Sequence, residues 1–192
     1  SKFRQNSLIV DYTDGFKPKQ LEPETRHLLS PMQHVVRNEP LPINPFLAIE
    51  MDDGGIVTRD NPATIARRIR DIFSKVYQTG EQQASILYDA IMAGISQYGT
   101  SMNLDTLMDL LALKTEEKAF RNQAHSLLLK FRPFVDSKPF SFGEDNLDWD
   151  SLFSKEDPLC NVFQLTGMSS EDQKMIVEFI LWNLYGHLQA KG

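Results

Sequence analysis

The chain has a single cysteine, Cys160, among its 192 residues. It can form no internal disulfide, and a CxxC redox or zinc motif is excluded. This points to a reducing, intracellular compartment, with the cytoplasm as the expected location. Long apolar runs are also missing. The longest, around Ile176 to Tyr185, is interrupted by Glu178 and Asn183 and falls well short of the roughly 20 residues that a membrane span needs. The opening SKFRQNSLIVDY lacks an apolar run followed by small residues, so it does not read as a secretory signal. A soluble protein with no membrane partner is expected. The phosphate-cradling patterns GxxxxGK(S/T) and GxGxxG are absent, as are HExxH and GxSxG. His27, His34, His125 and His187 lie far apart, with no carboxylate or cysteine at metal-ligand spacing. They read as surface or satisfied polar residues, and no metal site is expected.

What is present is the mix of a globular protein: 41% hydrophobic and 24% charged residues. Lys and Arg number 20 against 26 Asp and Glu, a net charge of -6. Attraction of the whole surface to nucleic acid or to an anionic membrane is therefore not expected, which leaves room only for a local basic patch. The length suits one domain, or one with a small appendage.

Short β-branched runs and long helical periods divide the chain. Ser7 to Tyr12 reads as a buried strand stopped by Thr13-Asp14-Gly15, Pro23 to Leu29 as a single helical turn, and Gln33 to Arg37 as a second strand candidate. Three prolines between Pro40 and Pro45 impose an extended connection, and Asp52-Asp53-Gly54-Gly55 a turn or hairpin tip. At Asn61 the pattern changes. Asn61 as N-cap and Pro62 at the first position open an amphipathic helix carrying Ile65, Ile69, Ile72, Phe73 and Val76. Further helices are expected over Glu81 to Tyr98, Leu104 to Leu113, and from an N-cap at Thr115 to about Phe131, ended by Pro133. Residues 136–157 are acidic and irregular. Leu159 to Leu165 then reads as a strand, and Ser169 with Asp172 caps a helix to about Gln189 that is apolar nearly all round and so wants burial on several sides. An opening strand and a closing strand-turn-helix suggest parts of a parallel sheet, yet two strands so far apart make no independent sheet. Either neighbouring polypeptide completes it, or the strands form a small ribbon against helices.

Few side chains point to chemistry. Asp11 closes a buried strand, where open α/β sheets place ligands and catalytic groups; its plainer reading is the cap of a turn. Asp14 follows in the same loop. Arg59, Arg67, Arg68 and Arg70 concentrate positive charge, with Arg67 and Arg70 on one side of the helix and Arg68 on its flank, all off the isoleucine stripe. This group is either a solvated face or a phosphate or nucleic-acid contact. Glu144, Asp145, Asp148 and Asp150 form an acidic stretch without the mid-loop glycine and closing glutamate of a calcium loop, and read as solvated. Cys160, inside an apolar strand, reads as an inert buried thiol.

Several of these pieces occur together in one order. A strand ending in Asp (LIVDYTDGF), the pair Gln20-Leu21, the connector LPINPF, Gly80-Glu81-Gln82-Gln83 ahead of a helix, and the closing NVFQLTGMSSEDQKMIVEFILWNLY resemble the HerA/FtsK-like hexameric DNA-pumping ATPases. The DptH type of DNA phosphorothioation-dependent restriction systems is closest in flavour. The resemblance implies a partial P-loop ATPase sheet with an inserted helical bundle, α/β by parentage and mostly α in this chain. Residues 1–60 would be strand and connector of the ATPase core, 61–135 the insertion, and 136–192 an acidic loop, a core strand and a buried helix. The phosphate loop would lie upstream and the Walker B strand downstream, so the chain would be the segment between them. ATP and magnesium would then be cofactors of the parent protein, and DNA and other restriction-system proteins its partners. The parent would assemble as a homo-oligomeric ring, and this chain alone would be inactive. Of the D-x-x-G-E-(Y/F) run in many relatives only Asp11 matches, as a support of the nucleotide site, because Asp14 precedes the glycine and no acid follows it. In this reading Arg67, Arg68 and Arg70 are the nucleic-acid contacts. Two other classes stand beside it: a free-standing helical protein-interaction adaptor, and a metal-dependent nuclease built on the acidic stretch.

Overall fold

The computed structural model describes residues 6–142, 147–153 and 160–191. It is a mixed α/β chain, mostly helical, with a small parallel sheet. SLIVD forms β1 (Ser7–Asp11), α1 (Pro23–Leu29) crosses over, and β2 (Pro31–Val35) runs parallel to β1. Between them lies β5 (Cys160–Gln164), so the strand order is β1-β5-β2. Ser7 and Pro31 both stand opposite Cys160, and all five residues of β5 are buried. The opening and closing strands, read as too far apart to make a sheet by themselves, thus pair directly in parallel, with a third strand beside them. The third strand was the QHVVR candidate, displaced from residues 33–37 to 31–35 because Val35 already accepts the N–H groups of Asn38 and Glu39 in the following turn. Leu159 lies outside the described residues.

Alternation across the strands gives the sheet two different faces. Leu8, Val10 and Phe163 pack into the main core, and beside them His34 bonds Asn161 at 2.9 Å and meets the ring of Phe163 edge-on. Ile9, Asp11, Val162, Gln164 and Gln33 occupy the other face by register. The proline-rich connector seals the core from outside, with Leu41, Ile43 and Phe46 buried. After it, β3 (Glu50–Asp53) and β4 (Ile56–Arg59) form an antiparallel hairpin. Gly54 (φ 62°) and Gly55 (φ 94°) supply the two positive dihedrals that a tight hairpin turn requires.

The helical block opens as the sequence implies. α2 (Pro62–Tyr77) is capped by Asn61, whose Oδ1 accepts from Thr64 N at 2.9 Å; α3 (Glu81–Tyr98) and α4 (Leu104–Lys114) follow. The next helix departs from expectation. Thr115 closes α4 by donating its hydroxyl to the Ala112 carbonyl at 2.6 Å, and α5 begins only at Arg121 and runs to Asp136 through Pro133. Pro133 is accommodated in the last turn of α5, where the missing N–H leaves only the Leu129 carbonyl without its intrahelical donor. Phe73 of α2 packs edge-on against Phe131 of α5 with centroids 4.5 Å apart, and Phe134, Phe140 and Phe179 extend this cluster to the final helix.

The stretch read as irregular holds α6 (Trp149–Leu152), where Trp149 is buried, stacks on Phe153 and donates to Asn183 Oδ1 at 2.7 Å. α7 (Ser170–Gln189) starts at Ser169, whose hydroxyl accepts from Asp172 N. It is not buried all round. Met175, Ile176, Phe179 and Ile180 face the core, while Leu181, Trp182, Tyr185 and Leu188 remain substantially exposed. No helix among the described residues is long and apolar enough to cross a membrane.

Candidate functional site

At the carboxyl edge of the sheet the three strands contribute one linked set of polar side chains. Asp11, the last residue of β1, is buried with only 3% of its surface exposed. One carboxylate oxygen accepts from Thr13 N at 2.9 Å, the other from Phe16 N at 2.8 Å and from Gln164 Nε2 at 2.9 Å. Gln164 also donates to Gln33 Oε1 at 2.9 Å, and Gln33 donates to the Phe16 carbonyl at 3.0 Å. Burial acts to raise the Asp11 pKa, but the bonds from Phe16, Thr13 and Gln164 together outweigh it, so the carboxyl titrates below the ordinary aspartate range. Asp11 is thus an anionic hub that ties the β1–α1 loop to the central and far strands. Its acceptor positions are filled by the chain's own donors.

Asp14 sits in that loop with a left-handed backbone, φ 67°. Its carboxylate pairs with Lys17 Nζ at 2.7 Å, and Lys17 first, then the Thr166 hydroxyl, hold its pKa low. Asp11 and Asp14 are therefore brought together at one sheet edge. Asp11 reaches across the sheet, whereas Asp14 is held within its own loop by Lys17.

The arginine group is not one surface. Arg68 is drawn inward: its guanidinium pairs with Asp60, both side chains being less than a tenth exposed, and donates to the Leu47 carbonyl at 3.2 Å. It also lies over the Trp182 ring at 5.2 Å. Arg70 pairs with its neighbour Asp71 and lies near the Tyr88 ring, and Arg59 is 3.7 Å from Glu50. Arg67 alone of the helical three is exposed without a carboxylate partner among the described residues. Arg68 thus acts as a clamp between the connector and α2.

Beside that clamp is a cleft of about 280 Å³ between the connector and α7, lined by Pro45, Ile49, Trp149, Phe179, Trp182 and His187 among others. Nothing in the sequence pattern marks it, because its walls come from four separate segments, the connector, α2, the α6 region and α7. Of the acidic stretch, Asp148 caps α6 through the Ser151 amide and hydroxyl, and Asp150 pairs with Lys191; Glu144 and Asp145 lie outside the described residues. Among the described residues, no three His, Cys, Asp or Glu side chains converge as metal donors. Cys160 is buried in β5.

No family model matches this chain, and no curated protein is significantly similar to it.

Proposed function

We propose that this chain is a segment of an ATP-driven DNA translocase or helicase of the HerA/FtsK-like kind, acting in a phosphorothioation-dependent restriction system against phage. The observation that carries the reading is the sheet: three short parallel strands whose carboxyl edge gathers the buried Asp11 hub, with no further strand beside β1 or β2 among the described residues. Parallel strands characteristically belong to larger sheets covered on both faces. In this reading the strands that bear the nucleotide motifs join this sheet in the parent protein, which binds ATP and magnesium and works as a ring. Asp11 then shapes the loop next to the nucleotide without touching the reacting phosphate, in keeping with its filled acceptor positions. Residues 61–135 form the helical insertion.

The test is the native polypeptide that carries this sequence. A longer chain with GxxxxGK(S/T) before Ser1 and an apolar strand ending in Asp-Glu after Gly192 supports the motor. A native chain of about this length removes it. The isolated 192 residues are expected to show no ATP turnover, since the glycine-rich loop and lysine that hold the phosphates are lacking; turnover that survives removal of contaminants overturns the reading. The adaptor reading retains one observation in its favour, the exposed stripe of Leu181, Tyr185 and Leu188 on α7. A native chain ending near Gly192 that forms a stoichiometric complex through this stripe establishes the adaptor instead.

A further inference from the structure

The helical block differs in charge from the rest of the chain. Residues 61–135 hold nine Lys and Arg against seven Asp and Glu, a balance of +2 within a chain of net charge -6. From Lys118 to Val135 there is no acidic residue at all. On α5 three side chains that can carry positive charge share one face: Arg121, His125 and Arg132 are exposed, while Lys130 turns away to the Tyr77 carbonyl and Ala124, Leu127, Leu128 and Phe131 are buried. At 100° per residue those three fall within about 40° of one another around the helix, and Arg121 and Arg132 stand about 16 Å apart along it. Lys118 extends the line into the turn before the helix, where the positive end of the helix dipole adds to it.

These cations differ from Arg68 and Arg70 of α2 in being unneutralised. Among the described residues, none of Lys118, Arg121, His125 and Arg132 has a carboxylate within ion-pair distance. Arg121 donates only to the Thr115 carbonyl, at 3.1 Å. The acids that border the face are Glu117, already paired with Lys114 at 2.7 Å, Glu116 in the shallow depression shared with Arg121 and His125, Glu81 beside the Gln82–Gln123 contact, and Asp136 at the far end.

We propose that this face of α5 contacts the phosphate backbone of duplex DNA, with Arg121 and Arg132 as the principal phosphate partners and Lys118 and His125 beside them. A straight row of unpaired cations spanning roughly five base steps of a duplex matches a regularly charged rod. Contacts of this kind, to phosphates and not to base edges, carry no sequence information. The choice of DNA over other polyanions rests on the motor reading; the placement on α5 rests on charge and exposure alone.

Fluorescence anisotropy of a labelled 20-base-pair duplex across a salt series tests this with the purified chain. Arg121→Ala with Arg132→Ala is expected to weaken binding tenfold or more and to reduce the slope of log K against log salt by about 2. Arg121→Lys with Arg132→Lys should restore the slope, and Arg67→Ala with Arg70→Ala should leave it unchanged. Equal melting temperatures exclude unfolding as the cause, since every substituted side chain is solvent-facing or only partly covered. An unaltered slope in the α5 double variant, or no duplex binding by the wild type, overturns the proposal. Loss confined to the α2 variant moves the contact to α2 and leaves the motor standing. Equal affinity for polyglutamate overturns the assignment to nucleic acid. The slope change in a chain natively lacking the flanking ATPase motifs would sustain this inference while the motor reading falls.

Discussion

At the scale of single residues, the chemistry of this chain is mostly internal. Asp11 satisfies four of its own chain's donors or near-donors, and Arg68 satisfies Asp60 and a carbonyl, so two of the side chains that the sequence offers as site residues are fasteners. Asp11→Asn puts an amide donor among donors and removes the charge, and should cost about 2–3 kcal/mol in urea unfolding at neutral pH. Because folding lowers the Asp11 pKa, its contribution is present above the unfolded value of about 3.9 and is lost as pH falls through the lower folded value. The wild type should therefore lose stability below about pH 4 more steeply than Asp11→Asn. Parallel acid profiles would count against the hub. The sequence showed an Asp at a strand end. It could not show that Gln164 and Gln33, each unremarkable by itself, complete the network.

At the scale of elements, local signals located most boundaries and misjudged those where two signals compete. Asn61-Pro62 opens α2 as read, because cap and first turn are chemistry among neighbours. Asn61→Ala should lower the melting stability by about 1 kcal/mol, whereas Thr115→Ala should leave the start of α5 where it is, since Thr115 closes α4 and does not open the next helix. Chemical-shift helix boundaries after each substitution check both. Thr115 was misread because a Thr before a helical pattern looks like an N-cap, while the turn over residues 115–120 is held by backbone bonds invisible in residue types. Pro133 looks like a stop in the sequence, whereas α5 carries it within its last turn.

At the scale of the whole molecule, one hydrophobic core runs from Val36 through the helical block to Ile180, so the connector, bundle and last helix fold together. The same core leaves Leu181, Trp182, Tyr185 and Leu188 on the outer side of α7. An apolar stripe of this kind favours association. The purified chain is expected to self-associate at high concentration, and Leu181→Lys with Tyr185→Lys to return it to a monomer in sedimentation velocity; a wild-type monomer at every concentration would show that the stripe tolerates water. Composition, helix periods, caps and the absence of nucleotide and metal motifs were decided by the amino-acid order alone, because each depends on residues within a few positions of one another. Strand partnership, the inward turn of Arg68, the cleft beside α7 and the one-sided exposure of that helix came only with tertiary packing. Each joins segments far apart in the chain, and hydrophobic periodicity records that a residue is apolar without recording which distant surface covers it.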